Sequence, residues 1–296
     1  MKKNTVSAGV LDIAYLEYGD RDGWPCVLSH GFPYDVESYA QAAPMLAAQG
    51  AWVIVPWLRG YGPTKFLSEH TPRSGEQAAL AADLLALIDS LSIERAILAG
   101  YDWGGRASCI IAALYPERVN ALVTVNGYNI QNIARCNEPA PAQEEAGYWY
   151  QYYFHSERGR RGLAENRNDI CRQLWRMWSP DWEFDQATFL QSAESFTNSD
   201  FVDVVIHSYK HRYALVPGDP AVAVIETRLT AQPEISVPTV IVDGNSDGVH
   251  APSITQHEKF TGPVDYRVLE KTGHNPPQEK PNDWCDAIMK ARNLST

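Results

Sequence analysis

The chain has little cysteine and none of it is paired. Its five cysteines, Cys26, Cys109, Cys136, Cys171 and Cys285, stand singly and in odd number, with no CxxC. That pattern points to reduced thiols in a cytoplasmic setting, away from a disulfide framework, and it offers no thiolate spacing for a metal. No window reaches the roughly 18 consecutive apolar residues of a membrane span. The basic start, Met1 to Thr5, lacks the apolar run of a signal peptide. An excess of basic charge is also missing. Against 25 Lys and Arg stand 36 Asp and Glu, a net charge of −11. Such a surface repels nucleic acid and anionic membrane and keeps the chain soluble. Internal repeats and low-complexity linkers are absent too. These absences leave a cytoplasmic monomer or homodimer acting on a small molecule.

What is present reads as an α/β protein. With 45% hydrophobic residues over 296 positions, the chain can bury a large core. Near-alternating apolar residues from Val6 to Gly19 predict a hairpin or two short strands. Short apolar runs follow at Cys26–Leu28, Trp52–Val55, Ala96–Ala99, Leu122–Val125, Thr239–Val242 and Tyr266–Leu269. Helical patterns lie between them: Tyr39–Ala48 stopped by Gly50, a segment carrying Leu80, Leu84, Leu87, Ile88 and Leu91, then Trp103–Tyr115 and Asn282–Ala291. Ser74-Gly75-Glu76-Gln77 has the form of a capping box. This alternation predicts a mostly parallel central sheet with helices on both faces.

The rhythm breaks between Val125 and Thr239, a gap too long for a simple crossover. Its content is helical and aromatic, as in Tyr148-Trp149-Tyr150-Gln151-Tyr152-Tyr153-Phe154, and Pro217-Gly218-Asp219-Pro220 supplies turn chemistry at its exit. We therefore expect a core of residues 1–127 and 218–296 with a helical cap, 128–217, inserted over the crevice at the strands' carboxyl ends.

Three acid–base candidates follow strands. Ala99-Gly100-Tyr101-Asp102-Trp103-Gly104-Gly105 leaves a strand and opens a helix, the pattern of a nucleophile elbow. Small residues leave room for the turn, and the helix N-terminus favours an anion. A carboxylate at its centre attacks a strained or saturated carbon and forms an alkyl ester, whereas attack on an ester or amide would give an anhydride. Asp102 thus selects epoxide or alkyl-halide chemistry over ester hydrolysis. The plainer reading is a helix N-cap. His274, in Gly273-His274-Asn275-Pro276 after the last strand, stands where a general base belongs in this chain order; a loop-capping histidine is the plainer alternative. Asp247, in Gly244-Asn245-Ser246-Asp247-Gly248, is the expected orienting acid, with Asp243 at the strand end as its rival.

His30-Gly31-Phe32-Pro33 (HGxP), Arg59-Gly60-Tyr61-Gly62 (RGYG) and Pro116-Glu117-Arg118-Val119 complete a familiar set. With them the chain resembles the epoxide hydrolase branch of the α/β-hydrolases, related to the haloalkane dehalogenases. The resemblance implies backbone N–H groups of Phe32 and Trp103 as oxyanion donors and a cis Phe32–Pro33 bond. It also implies two cap tyrosines that donate to the epoxide oxygen. Tyr150 and Tyr209 occupy the matching segments, with Tyr152 and Tyr153 as alternatives to the first; packing of the cap is the plainer role for all of them. His30, Arg59 and Tyr61 are read as shaping loops. Tyr101 stands where relatives carry His, and Trp57 where they carry Asp, which marks a distant subgroup with a reshaped pocket. Trp103 in place of arginine argues against a fluoroacetate-type dehalogenase.

The implied reaction is hydrolysis of an epoxide to a vicinal diol through an ester on Asp102, with no metal or organic cofactor. A haloalkane or haloacid dehalogenase using Asp102, His274 and Asp247 is the alternative, and a ligand-binding homologue without turnover a lesser one. Arg158-Gly159-Arg160-Arg161 reads as a solvated face or, less simply, a guide for anionic substrates. His155, His207 and His211 either line the pocket or pack, and Trp149, Trp175 and Trp178 fill the cap and the space beneath it.

Overall fold

A computed structural model describes residues 1–253 and 258–295. Its first two strands, β1 (Lys2–Ala8) and β2 (Leu11–Tyr18), pair antiparallel around Gly9, which takes the left-handed φ of +58° that the tight reversal requires. Then come β3 (Trp24–Ser29), β4 (Ala51–Pro56), the two-residue β5 (Lys65–Phe66), β6 (Ala96–Gly100), β7 (Val119–Val125), β8 (Thr239–Gly244) and β9 (Val264–Leu269). They form one sheet in the order β1-β2-β4-β3-β6-β7-β8-β9, with β5 hanging on β2. β2 pairs antiparallel with β4, and every neighbour from β4 to β9 is parallel. The central strands β4, β6 and β8 are buried at every position. They read as unbroken apolar runs because both faces are covered.

Parallel neighbours need crossovers, and the helices supply them. α1 (Ala42–Ala48) and α12 (Pro281–Leu294) pack together on one face; α2 (Gln77–Ser90) and α3 (Asp102–Leu114) pack together on the other. The α/β arrangement expected from the sequence is thus present. Three local expectations change. Val36–Tyr39 is a separate 3-10 turn, so α1 starts only at Ala42. Ser74 does not cap α2: the residue before the helix is Glu76, without a side-chain cap, and the Ser74 hydroxyl instead donates to the Glu76 carboxylate at 2.8 Å. β5 and the short α11 (Pro276–Glu279) are too brief to carry a period.

Between β7 and β8 the described residues contain no strand, only an isolated bridge from Ile235 to Phe260. Seven α-helices fill the interval: α4 (Ala142–Gly147), α5 (Trp149–Phe154), α6 (Glu157–Glu165), α7 (Arg167–Trp178), α8 (Gln186–Ala193), α9 (Phe201–His211) and α10 (Ala223–Leu229), the last of which packs on α2. The aromatic faces of α5, α7 and α9 converge on one core ring. Phe32 lies 6.3 Å from Tyr150, 6.2 Å from Phe154, 6.2 Å from Trp178 and 5.3 Å from Tyr209, centroid to centroid. Offset and edge-to-face pairs at these separations bind the helical segment to the strand ends. Among the described residues no helix is long and apolar enough to cross a membrane.

The turn from β6 into α3 is tightly packed. Asp102 adopts φ +48°, a conformation that disfavours any side chain. Its surroundings hold it there. A Cβ added to Gly104 would sit 2.1 Å from the Ser29 carbonyl oxygen, and one added to Gly31 only 2.5 Å from the Asp102 Cβ. Gly104→Ala is therefore expected to cost more than about 3 kcal/mol in urea unfolding, because backbone must move. Gly147→Ala, whose methyl would meet only the Gly248 carbonyl at 3.8 Å, is expected to hold stability.

Candidate active site

The elbow lifts the Asp102 carboxylate from the sheet edge into a cavity of about 500 Å³. One oxygen, Oδ1, accepts the backbone N–H of Phe32 at 2.7 Å. The other, Oδ2, lies 3.9 Å from Nε2 of His274. The Trp103 N–H belongs to the first turn of α3, where backbone donors have no intrahelical acceptor. The Phe32–Pro33 bond is cis.

His274 is buried on the loop between β9 and α11. Its Nδ1 lies 2.9 Å from Oδ2 of Asp247, while Nε2 makes no hydrogen bond among the described residues. Asp247 is itself held by the N–H groups of Val249 (2.7 Å) and His250 (3.2 Å) and by the Asn126 side-chain amide at 3.2 Å. Asp243 is spent elsewhere. It accepts from Asn126 N, from Ser253 N and Oγ, and from the Tyr266 hydroxyl, and so ties two loops to β9 without touching the imidazole. The carbonyl of Trp178, at the end of α7, accepts both the Gly248 N–H (3.1 Å) and the His274 N–H (3.2 Å).

These three groups set one another's protonation. Burial alone would raise the Asp102 pKa, but His274, aided by Arg106 and Arg212, prevails and holds it at about 2. Burial opposes a charged ring at His274, yet Asp247 and Asp102 together lift its pKa to about 10. Asp247, despite its own burial, is likewise kept low by His274. At neutral pH the resting centre is an imidazolium between two carboxylates.

Tyr150, on α5, and Tyr209, on α9, are buried with ring centroids 5.2 Å apart. Tyr150 lines the cavity; Tyr209 stands beside it against Trp103, at 6.1 Å, with its hydroxyl unpartnered. Burial pushes the Tyr150 phenol up to about 12 and the Tyr209 phenol well above its ordinary value, so both keep their protons. The Tyr150 hydroxyl accepts from Gln151 Nε2 at 3.0 Å, which leaves its proton free to point elsewhere. Tyr152 is exposed and donates to Glu145, and Tyr153 packs against Trp149. Neither lines this cavity.

The remaining candidates have other occupations. Both ring nitrogens of His30 are engaged by backbone, Gly31 O at 3.1 Å and Leu58 N at 3.2 Å, which joins two loops. Arg59 forks onto Asp83 at 2.6 and 2.7 Å, and Tyr61 packs its ring 6.2 Å from Trp103. The Tyr101 hydroxyl pairs with Ser38, and the Trp57 indole donates to Ser195. His155 meets the Tyr209 carbonyl, His207 the Gly75 N–H, and His211 the Glu76 carboxylate. Arg160 and Arg161 pair with Asp203 and Glu165 on the exposed face of α6. The Trp175 indole donates to the Pro33 carbonyl.

Among the cavity residues that sequence reasoning missed are Arg106, Asn126, Gln151 and Arg212. A signal existed for two of them. Arg106 lies four residues after Asp102 on α3, and Arg212 lies three after Tyr209 at the end of α9, both spacings of a shared helix face. Among the described residues no cluster of His, Cys, Asp and Glu is arranged to hold a metal ion.

Comparison with known proteins agrees with this architecture. The alpha/beta hydrolase fold family model matches residues 25–281. A crystal structure from Klebsiella pneumoniae, of a protein provisionally described as an epoxide hydrolase, is 45% identical with a TM-score of 0.97, over 99% of this chain and 97% of its own. Epoxide hydrolase A of Mycobacterium tuberculosis is 24% identical over 93% of this chain and 92% of its own length. Bifunctional epoxide hydrolase 2 of Sus scrofa is 33% identical over 151 residues, 51% of this chain; the match spans only 26% of that longer relative.

The coupled titration can be measured directly. In ¹⁵N NMR the His274 ring is expected to stay charged until pH approaches about 10. In Asp102→Asn, with one of its two carboxylates neutralised, its titration should move down toward neutrality. An unmoved titration would uncouple the two groups.

Proposed function

The chain belongs to the alpha/beta hydrolase fold family, and we propose that it opens epoxides to vicinal diols through a covalent ester on Asp102. Residues 128–217 act as a cap over a core of 1–127 and 218–296. The observation that carries this reading is the pair of buried, protonated phenols beside a half-buried, ionised carboxylate that lines the cavity. Ring opening creates an alkoxide, which needs an acid at hand. Tyr150 and Tyr209 are that acid, and Gln151 sets the direction of the Tyr150 proton.

The steps follow from the geometry. With Oδ1 held by the Phe32 N–H, Oδ2 is the oxygen free to attack an epoxide carbon. The C–O bond of the ring breaks, and the alkoxide takes a phenolic proton. Esterification removes the negative charge of Asp102, so His274 loses one of the two carboxylates that hold its proton. That proton passes to the phenolate through solvent, leaving a neutral imidazole. The imidazole, oriented by Asp247, then takes a proton from water, and the hydroxide adds to the ester carbon. The tetrahedral oxyanion at Oδ1 rests on the N–H groups of Phe32 and Trp103. Collapse releases the diol and restores the carboxylate and the imidazolium.

Displacement of halide is the second reading. It is favoured by one observation, the buried indole N–H of Trp103, which has no acceptor among the described residues. An indole can hold a halide but is too weak an acid to protonate an alkoxide, so the phenol pair supports the epoxide.

Two outcomes test the proposal. With styrene oxide, His274→Gln is expected to gain the mass of one epoxide on the peptide containing Asp102, and the native chain should accumulate the same adduct as pH falls, since the ester waits for a neutral imidazole while Asp102 stays ionised. Absence of the adduct in both experiments would remove the ester intermediate. Replacing Tyr150 and Tyr209 together by Phe is expected to slow adduct formation by about 10²–10⁴; an unchanged rate would reject the phenols as the acid, and halide release from haloalkanes would favour the second reading.

A further inference from the structure

Two cations share the cavity with Asp102, and neither has an anion of its own. Arg106, on α3, is 7% exposed; its Nε donates to the Asn129 carbonyl at 3.2 Å, and it forms no ion pair among the described residues. Arg212, just past α9, donates through Nη1 to Gln151 Oε1 at 3.2 Å. Its Nε and Nη2 are buried with no acceptor among the described residues, and its guanidinium lies 4.8 Å from the Tyr209 ring centre. A buried guanidinium with unmade hydrogen bonds is unfavourable unless something satisfies it. Here the two also repel each other. Burial and the nearby Arg212 push the Arg106 pKa down to about 10. Asp102 favours the charged form of both, but among the described residues its ion pair is with His274, 3.9 Å away. Burial holds the cavity's own His250 down to about 4 and therefore neutral. Around the buried end of the cavity, three cations (Arg106, Arg212 and His274) face two anions (Asp102 and Asp247). One positive charge is left over. Glu144 also lines the cavity, at its exposed side.

We propose that the natural substrate is an epoxide bearing a carboxylate, and that Arg106 and Arg212 clamp this group while the oxirane lies between Asp102 and the tyrosines. A carboxylate is a monoanion that matches the single excess charge, and its two oxygens suit the planar fork of a guanidinium. The clamp also explains how an anion approaches an anionic nucleophile on a chain of net charge −11: the local field of the two guanidiniums opposes the repulsion. Gln151 connects the two halves of the site. Its Oε1 accepts from Arg212 and from the Tyr213 hydroxyl, and its Nε2 donates to Tyr150. The group that reads the carboxylate is thereby one amide away from the group that protonates the epoxide oxygen.

This inference rests on the epoxide reading, and the test separates the two. The probes are 3-phenyloxirane-2-carboxylate and its carboxamide, of equal size but different charge. The native chain is expected to favour the carboxylate by about 100-fold or more in kcat/KM. In Arg212→Gln and Arg106→Gln that preference should fall about 100-fold toward unity, chiefly through KM, and Arg212→Lys should restore part of it. Equal kcat/KM for the two probes in the native chain would overturn the proposal, as would a preference that survives both Gln variants. A stronger preference for the matching phosphonate would overturn the carboxylate assignment. Calorimetry with the product diol acid, set against its amide, reads the clamp without chemistry. Binding of the acid that is lost in Arg212→Gln, together with no turnover of any epoxide, would keep the anion clamp and reject the epoxide reading alone. Equal binding of acid and amide rejects the clamp.

Discussion

A carboxylate largely withdrawn from solvent at the end of a β-strand is costly unless a positive charge stands near it, and here that partner is the imidazolium of His274, 3.9 Å away. The rest of the site is arranged to keep this pairing in place. Asp102 is forced outward by a left-handed backbone that close glycine packing does not allow to relax. The ring is fixed from behind by Asp247, and Asp247 by two backbone donors and Asn126. Each link would be unfavourable alone. Together they hold a proton on His274. In the proposed reaction that proton would be surrendered once the charge on Asp102 disappears, an electrostatic switch that calls for no large movement.

The helical segment adds what the sheet does not supply. A strand end can present one carboxylate and two loops, but the acids that the proposed reaction needs opposite it must come from elsewhere. Helices α5 and α9 bring Tyr150 and Tyr209 there by packing on the Phe32 ring, and Phe32 itself offers its N–H to Asp102. One residue therefore couples helix docking to the polarity of the carboxylate. Any loss of packing at Phe32 is felt at both places.

Much of this was legible from residues alone, and the reason differs by element. Strands β4, β6 and β8 are buried on both faces, so their apolar runs are continuous and easy to see. The elbow is legible because its steric demands restrict the residues around Asp102 to small ones at Gly100 and Gly104. The apparent capping box at Ser74 failed because Glu76 is drawn into a tertiary network, accepting from Asp219 N at 2.5 Å and facing His211. Asn126 and Gln151 were invisible for a related reason: an amide gains meaning only from the neighbours a fold gives it. The choice of Asp247 over Asp243 rested on position alone, and the contacts of Asp243 with Ser253 and Tyr266 show how a neighbouring acid can be structural.

The Trp178 carbonyl binds the loops of both His274 and Asp247 to the final turn of α7. A helix fastened to the hinge pins of the machinery beneath it resists lifting: raising α7 would break the two hydrogen bonds that hold the loops of His274 and Asp247. In the proposed reaction, traffic would run instead through the open side of the cavity, where Glu144 stands.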